Sequence, residues 1–450
     1  MKKPLAKPRG RRTLNSPARS HKREVVRFRL GNGLELVLCP RPQLAQSYAV
    51  LFAGMGSRHE TAEDNGLTHV LEHMLFRGTA SWDDVTKLNA SAEGFGGFLE
   101  GATYRDHMLL ATACHPTALP DAIQILGELV GSPRYRAMET ERAILREELQ
   151  ETLDGEGRMV DLDNLSHRFI FGTHGLGLPI EGTLDNLERF GVADLERHRQ
   201  RLASARNLVL AVAGPFDLEG MVRVAELALS DLPEGERPPA HTPELVCEAP
   251  QLRFVRDLGS QIDVRLSFVA VPMGDPLYAP LSVLSRVLAE GLASRMHAEL
   301  VDRRGLAYSL NAGLTTYDDC GLFEFEIAVS PHRASEAVQA IVDFARSASR
   351  FRYDRDELER VRKRYRYTRE FMEDSAADLA NWHGRAALFG IERETQELEE
   401  RMQRVTASEL RDAARAVFRP ERLSLMAVGE LARGEWSRVR HVVDRWVKAK

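Results

Sequence analysis

The sequence is poor in the features that mark several large classes of protein. Its 450 residues include four cysteines that lie far apart, which argues against a disulfide framework and suits a reducing compartment. The longest clean apolar run, Leu208 to Ala213, is far shorter than the roughly 20 residues that a membrane-spanning helix needs. The net charge is only −5, so no strong field attracts nucleic acid. We therefore expect no nucleic-acid partner and no membrane span.

The first 24 residues form a segment of different composition. They hold nine Lys or Arg and a single acid, Glu24, and their three prolines would interrupt an amphipathic transit helix. We interpret residues 1–24 as a disordered basic tail on a cytoplasmic protein. A mitochondrial presequence, which is also rich in arginine and poor in acids, is the alternative.

The length and the 43% hydrophobic content predict two or more domains with substantial cores. A polar, proline-bearing stretch from Asp231 to Pro250 separates two regions in which short alternating strands and helices mix. We therefore predict a first domain over 25–232, a linker over 233–250 and a second domain over 251–450.

The two halves repeat each other. Residues 193–214 align without gaps on residues 408–429, at an offset of 215. Each copy is typical of a helix, a turn and a buried strand that ends at glycine (Gly214 and Gly429). The economical interpretation is an α+β fold made of two copies of one unit.

The sharpest motif lies in the first half, within GLTHVLEHMLF at positions 66–76. The apolar residues cover most of the circumference of the predicted helix, so the helix is expected to be buried. His69 and His73 are four residues apart and project from one face, where they can bind one metal ion. Glu72 is close enough to reach a metal-bound water. The order H-x-x-E-H is that of the inverzincin metallopeptidases, and the second half carries nothing comparable.

A catalytic zinc needs a third protein ligand, and the predicted helix Glu139–Leu153 offers two neighbouring glutamates. Its apolar stripe comprises Met138, Ile144, Leu145 and Leu149. Glu148 falls within that stripe and Glu147 projects to the opposite side, so we predict Glu148 as the third ligand. Glu141 lies close to the stripe, where it either supports a ligand histidine or forms an ordinary salt bridge.

Taken together, the segment NGLTHVLEHMLFRGT and a glutamate 75 residues beyond His73 resemble the pitrilysin/insulinase family of zinc peptidases. Further segments agree in order along nearly the whole chain: GMGSRHE at 54–60, HGLGLPIEGT at 174–183, GLASRMHAEL at 291–300 and RRGLAYSLNAGL at 303–314. The length is similar to that of the short-chain branch of the mitochondrial processing peptidase. This resemblance implies two similar α/β-roll domains in one chain.

The resemblance also implies a mechanism and a set of site residues. His69, His73 and Glu148 would hold one Zn²⁺, and Glu72 would be the general base in hydrolysis of unfolded peptides or short polypeptide segments. Family members bind such peptides as a strand added to a sheet edge, in a chamber between two halves. Glu100, Thr103 and Tyr308 are the substrate-binding positions that the resemblance indicates.

Two positions depart from the family pattern. Glu100 stands where an asparagine is usual, which would change substrate binding or select basic peptides. Val301 stands where an arginine normally accompanies the tyrosine that corresponds to Tyr308. An intact zinc set beside an incomplete pair fits the zinc subunit of a heterodimer with a related chain that lacks the motif, and a homodimer is the alternative.

These features leave three functional hypotheses. The first is an active zinc endopeptidase, which the complete zinc set favours. The second is a catalytically silent scaffold or assembly subunit of the same fold. The third is a zinc-dependent module that binds unfolded peptide and releases it intact.

Overall fold

The computed structural model describes residues 25–245 and 247–449, with the backbone alone for 392–396. The predicted basic tail, residues 1–24, lies outside the described residues. The strands are β1 Val26–Arg29, β2 Glu35–Pro40, β3 Ser47–Ala53, β4 Leu99–Thr103, β5 Met108–Cys114, β6 Leu208–Gly214, β7 Gln251–Arg256, β8 Ile262–Ala270, β9 Ala307–Thr316, β10 Gly321–Val329 and β11 Leu423–Gly429.

Helices alternate with these strands in both halves. They are α1 Leu67–Leu75, α2 Val85–Gly94, α3 Leu119–Gly131, α4 Met138–Glu151, α5 Leu162–Phe171, α6 Leu184–Arg189, α7 Val192–Leu202, α8 Leu218–Leu229, α9 Tyr278–Ala289, α10 Ala334–Ala348, α11 Arg355–Met372, α12 Ala376–Phe389, α13 Glu392–Arg404, α14 Ala407–Val417 and α15 Glu435–Lys448. Short 3-10 turns occur at Ser57–His59, Pro116–Ala118, Gly175–Gly177, Ala205–Asn207 and Pro420–Arg422, and a π-helix at His297–Arg303. In the parts of the chain that the structure describes, no helix is both long and apolar enough to cross a membrane.

Two mixed sheets confirm the predicted α+β class and the predicted duplication. The first sheet has the order β1-β2-β6-β3-β5-β4 and the second has the order β7-β11-β8-β10-β9. The repeat found in the sequence corresponds to α7–β6 and α14–β11. Each of these strands pairs in parallel with one neighbour and antiparallel with the other. Gly214 and Gly429 close the two strands with φ angles of 137° and 136°, a region that favours glycine.

One helix from each half packs on the sheet of the other half. Helix α12 packs on β2, β3 and β6, where Leu379 and Ala380 join Val37, Val50 and Phe52 in a buried cluster. A Cβ at Gly384 would meet the Phe52 ring at 2.6 Å, so this glycine permits the close approach. In return, α5 packs on β8 and β11. The exchange covers part of the outer face of each sheet and ties the two predicted domains together.

Partly buried ion pairs reinforce the contact between the halves. Asp163 on α5 accepts hydrogen bonds from Arg105 at 2.7 Å and from Arg265 at 2.6 Å. Burial by itself would raise the pKa of Asp163, but His167 and the two guanidinium groups hold it far below its usual range. Arg58 is itself buried and donates to Asp318 at 2.6 Å and Asp319 at 2.9 Å. These pairs position the two sheets on either side of a common interior.

Candidate metal centre

Helix α1 begins at a constrained turn. Its N-cap, Gly66, has a φ of 93°, and a Cβ there would meet the backbone of Gly182 at 2.7 Å. The buried Glu60 carboxylate accepts hydrogen bonds from the backbone N–H groups of Gly66 and Thr68, both at 2.8 Å. A carboxylate at this end of a helix satisfies unpaired N–H groups and complements the helix dipole. Glu60 therefore fixes the register of the helix that carries the motif.

The two motif histidines lie together on one face of α1, as predicted. Their ring centroids are 4.7 Å apart, and His69 is 7% exposed. Burial, followed by the charge of His73, lowers the pKa of His69 to about 3. The ring is therefore neutral at physiological pH, which leaves a nitrogen lone pair free to bind a metal.

Helix α4 brings Glu148 to both histidines. Its Oε1 lies 3.5 Å from Nε2 of His69, and its Oε2 lies 3.6 Å from Nε2 of His73. Glu147 projects to the exposed side of the helix, as its position in the sequence predicts. The predicted apolar stripe was wrong at Ile144, which is 47% exposed, whereas Leu145 and Leu149 are buried. The Glu148 side chain is 43% exposed. The burial of the remainder raises the pKa of its carboxyl group.

Glu141 lies beneath His73, one side of the carboxylate facing the ring and the other facing Arg77. Nδ1–H of His73 donates to Oε1 of Glu141 at 2.8 Å, while Arg77 forms a close ion pair with Oε2. Glu141 is only 4% exposed. The hydrogen bond on Nδ1 orients the His73 ring and leaves Nε2 as the nitrogen that faces Glu148. The same carboxylate thus makes both contacts that the sequence left as alternatives, one with the histidine and one with an arginine.

Glu72 is buried between α1 and the edge strand β4. Burial raises the pKa of this carboxyl to about 7, although His73 counteracts part of the effect. A Cβ at Gly101 would lie 2.1 Å from Oε1 of Glu72, so only glycine leaves room for the carboxyl at this point of β4. Thr103 approaches the same carboxyl but makes no hydrogen bond of normal geometry with it. The strand therefore confines Glu72 beside the two histidines.

The donor set and its spacing suit a metal ion. Donor atoms of His69, Glu72 and His73 all lie within 4.8 Å of one another. With zinc–ligand bonds of about 2.0–2.2 Å, tetrahedral ligands stand roughly 3.3–3.6 Å apart. The separations of 3.5 and 3.6 Å between Glu148 and the histidines fall in that range. Nε2 of each histidine is the ring nitrogen that faces Glu148 and is therefore the atom placed to bind the ion.

The predicted substrate-binding residues do not all gather at this cluster. Glu100 is exposed and points from β4 into a cavity of about 670 Å³ between the two halves. Thr103 lies next to Glu72 on the opposite face of the same strand. Tyr308 is 92% exposed on β9 and does not line that cavity. Val301, the second departure from the family pattern, lies in the π-helix.

Sequence patterns gave no separate signal for two supporting features of the centre. Glu60 precedes His69 by nine residues, and its carboxylate caps the N-terminus of α1 from the other side of a turn. Gly101 follows the motif on a strand whose approach to α1 depends on the packing of the whole sheet. A glycine inside a predicted strand does indicate a close approach of some kind, but it does not name the partner.

Comparison with known proteins relates the chain to peptidase family M16. Residues 36–183 match the family described as Insulinase (Peptidase family M16), and residues 189–365 match the domain described as Peptidase M16 inactive domain. The centre described above lies entirely within the first match.

Individual relatives extend the likeness along the chain. An uncharacterized zinc protease of Streptomyces coelicolor is 27% identical over 429 residues, covering 93% of this chain and 92% of the relative. One of Mycobacterium tuberculosis is 30% identical and covers 72% of this chain and 74% of the relative. The mitochondrial-processing peptidase subunit beta of Blastocladiella emersonii is 28% identical, with coverages of 66% and 64%. The crystal structure of a protease from Helicobacter pylori has the same fold, with a TM-score of 0.84 at 18% identity over 90% of this chain and 99% of that one.

Proposed function

Because the chain belongs to the insulinase family, peptidase family M16, we propose that it is a zinc endopeptidase that cleaves unfolded peptides or short polypeptide segments. The observation that carries the proposal is the meeting of four side chains from two helices. The buried imidazole of His69 and the half-buried imidazole of His73 face one carboxylate, and a second, buried carboxylate stands beside them. A set of this kind has the ligands and the base that metal-assisted hydrolysis requires.

His69, His73 and Glu148 would hold the zinc ion. When bound, the ion supplies Lewis acidity, which polarises a peptide carbonyl and lowers the pKa of a water toward neutrality. Glu72 takes a proton from the attacking water at its carboxylate and passes that proton to the leaving amine. The buried position of Glu72 suits this work, since a raised pKa brings it closer to the pH at which the group must accept and release a proton. Glu141 keeps His73 in the orientation that ligation needs.

The substrate would bind as an extended strand along β4. This strand is the last in its sheet, so one side of its backbone faces no neighbouring strand in the described part of the chain. An extended peptide can pair with such an edge through main-chain hydrogen bonds. Since Gly101 on β4 adjoins Glu72, a peptide on this edge passes the base.

A related chain without the zinc motif is the partner that we propose for this subunit. The C-terminal half lacks the arginine expected at Val301, and Tyr308 points to solvent rather than to the cavity beside β4. A partner would supply the missing substrate contacts. The same two features favour a second candidate function, that of a catalytically silent scaffold, which would bind neither zinc nor peptide in this way.

The purified, zinc-loaded chain is expected to cleave a mixture of unfolded peptides, with cleavage read by mass spectrometry. Removal of zinc with a chelator should stop cleavage, and re-addition of zinc should restore it, because the ion supplies the Lewis acid. If the chain alone is inactive, the related subunit is added. Cleavage that appears only with this subunit supports the heterodimer, and failure of the zinc-loaded pair rejects the proposed function.

Replacement of Glu141 by glutamine is expected to weaken zinc binding about 10- to 100-fold. The amide removes the charge that orients the His73 ring, although it keeps the shape of the side chain. Competition with a zinc-binding dye measures the affinity. The exposed Glu139, which lies on the same helix, provides the control Glu139→Gln. An unchanged affinity in Glu141→Gln would mean that Glu141 only neutralises Arg77.

A further inference from the structure

The two faces of β4 carry different chemistry. Side chains alternate along a strand, so Leu99, Gly101 and Thr103 point to α1 and its core, while Glu100 and Ala102 point the other way. Tyr104 continues the second face by the same alternation, and like Glu100 it lines the cavity between the halves. Phe98 extends this face in the other direction and is 59% exposed. We call the row Phe98, Glu100, Ala102 and Tyr104 the cavity face of β4, although only Glu100 and Tyr104 line the cavity itself.

Glu100 is an acid without a cation of its own in this cavity. Its carboxylate accepts a long hydrogen bond of 3.4 Å from the hydroxyl of Tyr48. Of the acids around it, Asp106 contacts His107 at 2.6 Å and Asp163 contacts two arginines. Among the described residues, Glu100 takes part in no ion pair, so its carboxylate is free to accept one from a ligand.

Two of the three arginines that line the cavity are paired with acids, and the third lies against an aromatic ring. Arg105 pairs with Asp163, and Arg286 pairs with Glu290 at 2.6 Å. Arg385 lies over the Phe389 ring at 5.6 Å and acts on Asp106. A cation that enters beside Glu100 therefore meets an uncompensated carboxylate, while two of the three arginines that line the cavity are already paired with acids.

We propose that the cavity face of β4 selects the substrate: Glu100 binds a Lys or Arg side chain of the peptide, and Phe98 receives a large apolar side chain two residues away. The inference rests on the proposed function and names its substrate class. In an added antiparallel strand, the residue opposite Glu100 projects to the same face, at cross-strand distance. Because Gly101, the next residue, adjoins Glu72, the basic residue lies close to the bond that is cut.

The test uses short, unstructured, fluorescein-labelled peptides in which one Lys is moved through successive positions, each matched by a norleucine version. Both the Kd, by fluorescence anisotropy, and kcat/KM are measured with the zinc-loaded chain. At one position Lys should be favoured over norleucine by roughly 10- to 100-fold, the range for a charge-assisted hydrogen bond. In Glu100→Gln this ratio should fall toward one, and in Glu100→Lys a Glu peptide should be preferred at the same position. The exposed Glu93 on α2 provides the control Glu93→Gln, in which the Lys ratio is retained.

The two measurements separate this inference from the proposed function. Cleavage without a Lys preference at any position, or a preference that survives in Glu100→Gln, overturns the inference and leaves the peptidase intact. A Glu100-dependent Lys preference in binding, with no turnover even beside the related subunit, supports the inference and rejects the endopeptidase. Absence of both binding and cleavage overturns both. Phe98→Ala should lower only the preference for a large apolar residue two positions away, and an unchanged preference there removes Phe98 from the proposal.

Discussion

Glu72→Gln is expected to lower kcat for unfolded peptides by roughly 10²- to 10⁴-fold, the range for loss of a positioned general base, while the chain keeps its zinc. Glutamine has the shape of glutamate but cannot accept a proton from water at neutral pH. The proposed ligands His69, His73 and Glu148 are unchanged in this variant. Initial rates by mass spectrometry and zinc content by elemental analysis, measured on one preparation, test both halves of the prediction.

Stability separates this effect from a folding defect. The pKa of Glu72 is raised in the folded chain, so its folded form binds protons more tightly than its unfolded form, and its contribution to stability is lost as the pH rises through about 7. The metal-free Glu72→Gln variant should therefore be at least as stable as the metal-free parent at pH 8, as judged by urea unfolding. Glu226→Gln, at an exposed position on α8, is the matched control for rate and stability. Retained turnover in Glu72→Gln would assign the base to another residue.

The centre could be predicted largely because its signals are local. Two histidines on one helical turn must share a face, and an apolar surround buries them. The shared face holds in α1, and burial holds for His69, whereas His73 is the one residue of the helix that is not buried. The choice of Glu148 over Glu147 also needed nothing beyond the period of one helix. Helix geometry fixes the direction in which a side chain projects, but it does not fix how deeply that side chain is covered by other elements. Ile144 was therefore expected to be buried and is exposed.

The duplicated fold was visible for a similar reason. A helix, a turn and a buried strand recur at a constant offset, and the two copies occupy matching places in their sheets, as α7–β6 and α14–β11. The exchange of α5 and α12 left no such trace. Each of these helices is amphipathic or apolar in the ordinary way, and nothing in its own residues states which sheet will cover it. That choice depends on contacts between residues hundreds of positions apart, such as Phe52 with Gly384.

Glu100 is a residue whose role needs both the sequence pattern and the structure. The sequence marks an acid at a position where an amide is usual in similar proteins, and it leaves two consequences open. The structure adds the face of the strand, the free edge and the state of the neighbouring charges. A role in specificity depends on what surrounds a residue, whereas the proposed ligation by His69 and His73 depends chiefly on their spacing.

Glu148→Gln is expected to weaken zinc binding by more than roughly 100-fold. That factor is the upper end of the range for losing a residue that only hydrogen-bonds to a metal ligand, and Glu148 is proposed as a ligand itself. The variant removes a negatively charged donor that faces both histidines, at 3.5 and 3.6 Å. Cleavage should fall in parallel at limiting zinc. Glu147→Gln is the matched control, because it makes the same chemical change one residue earlier on the exposed side of α4. Zinc per chain after dialysis against a weak chelator distinguishes the two variants.

The metal-free forms of these two variants give the decisive contrast. The raised pKa of Glu148 means that its charged form is disfavoured in the folded chain. Glu148→Gln removes that charge, so the metal-free variant should not be less stable than the metal-free parent. Zinc should raise the unfolding midpoint of the parent and of Glu147→Gln, since a ligand that binds the folded state stabilises it by mass action. It should raise that of Glu148→Gln little at the same concentration. If Glu147→Gln rather than Glu148→Gln lost the shift, the assignment of the third ligand from the face of α4 would be wrong. If both variants kept it, the two histidines would bind the ion without a carboxylate from this helix.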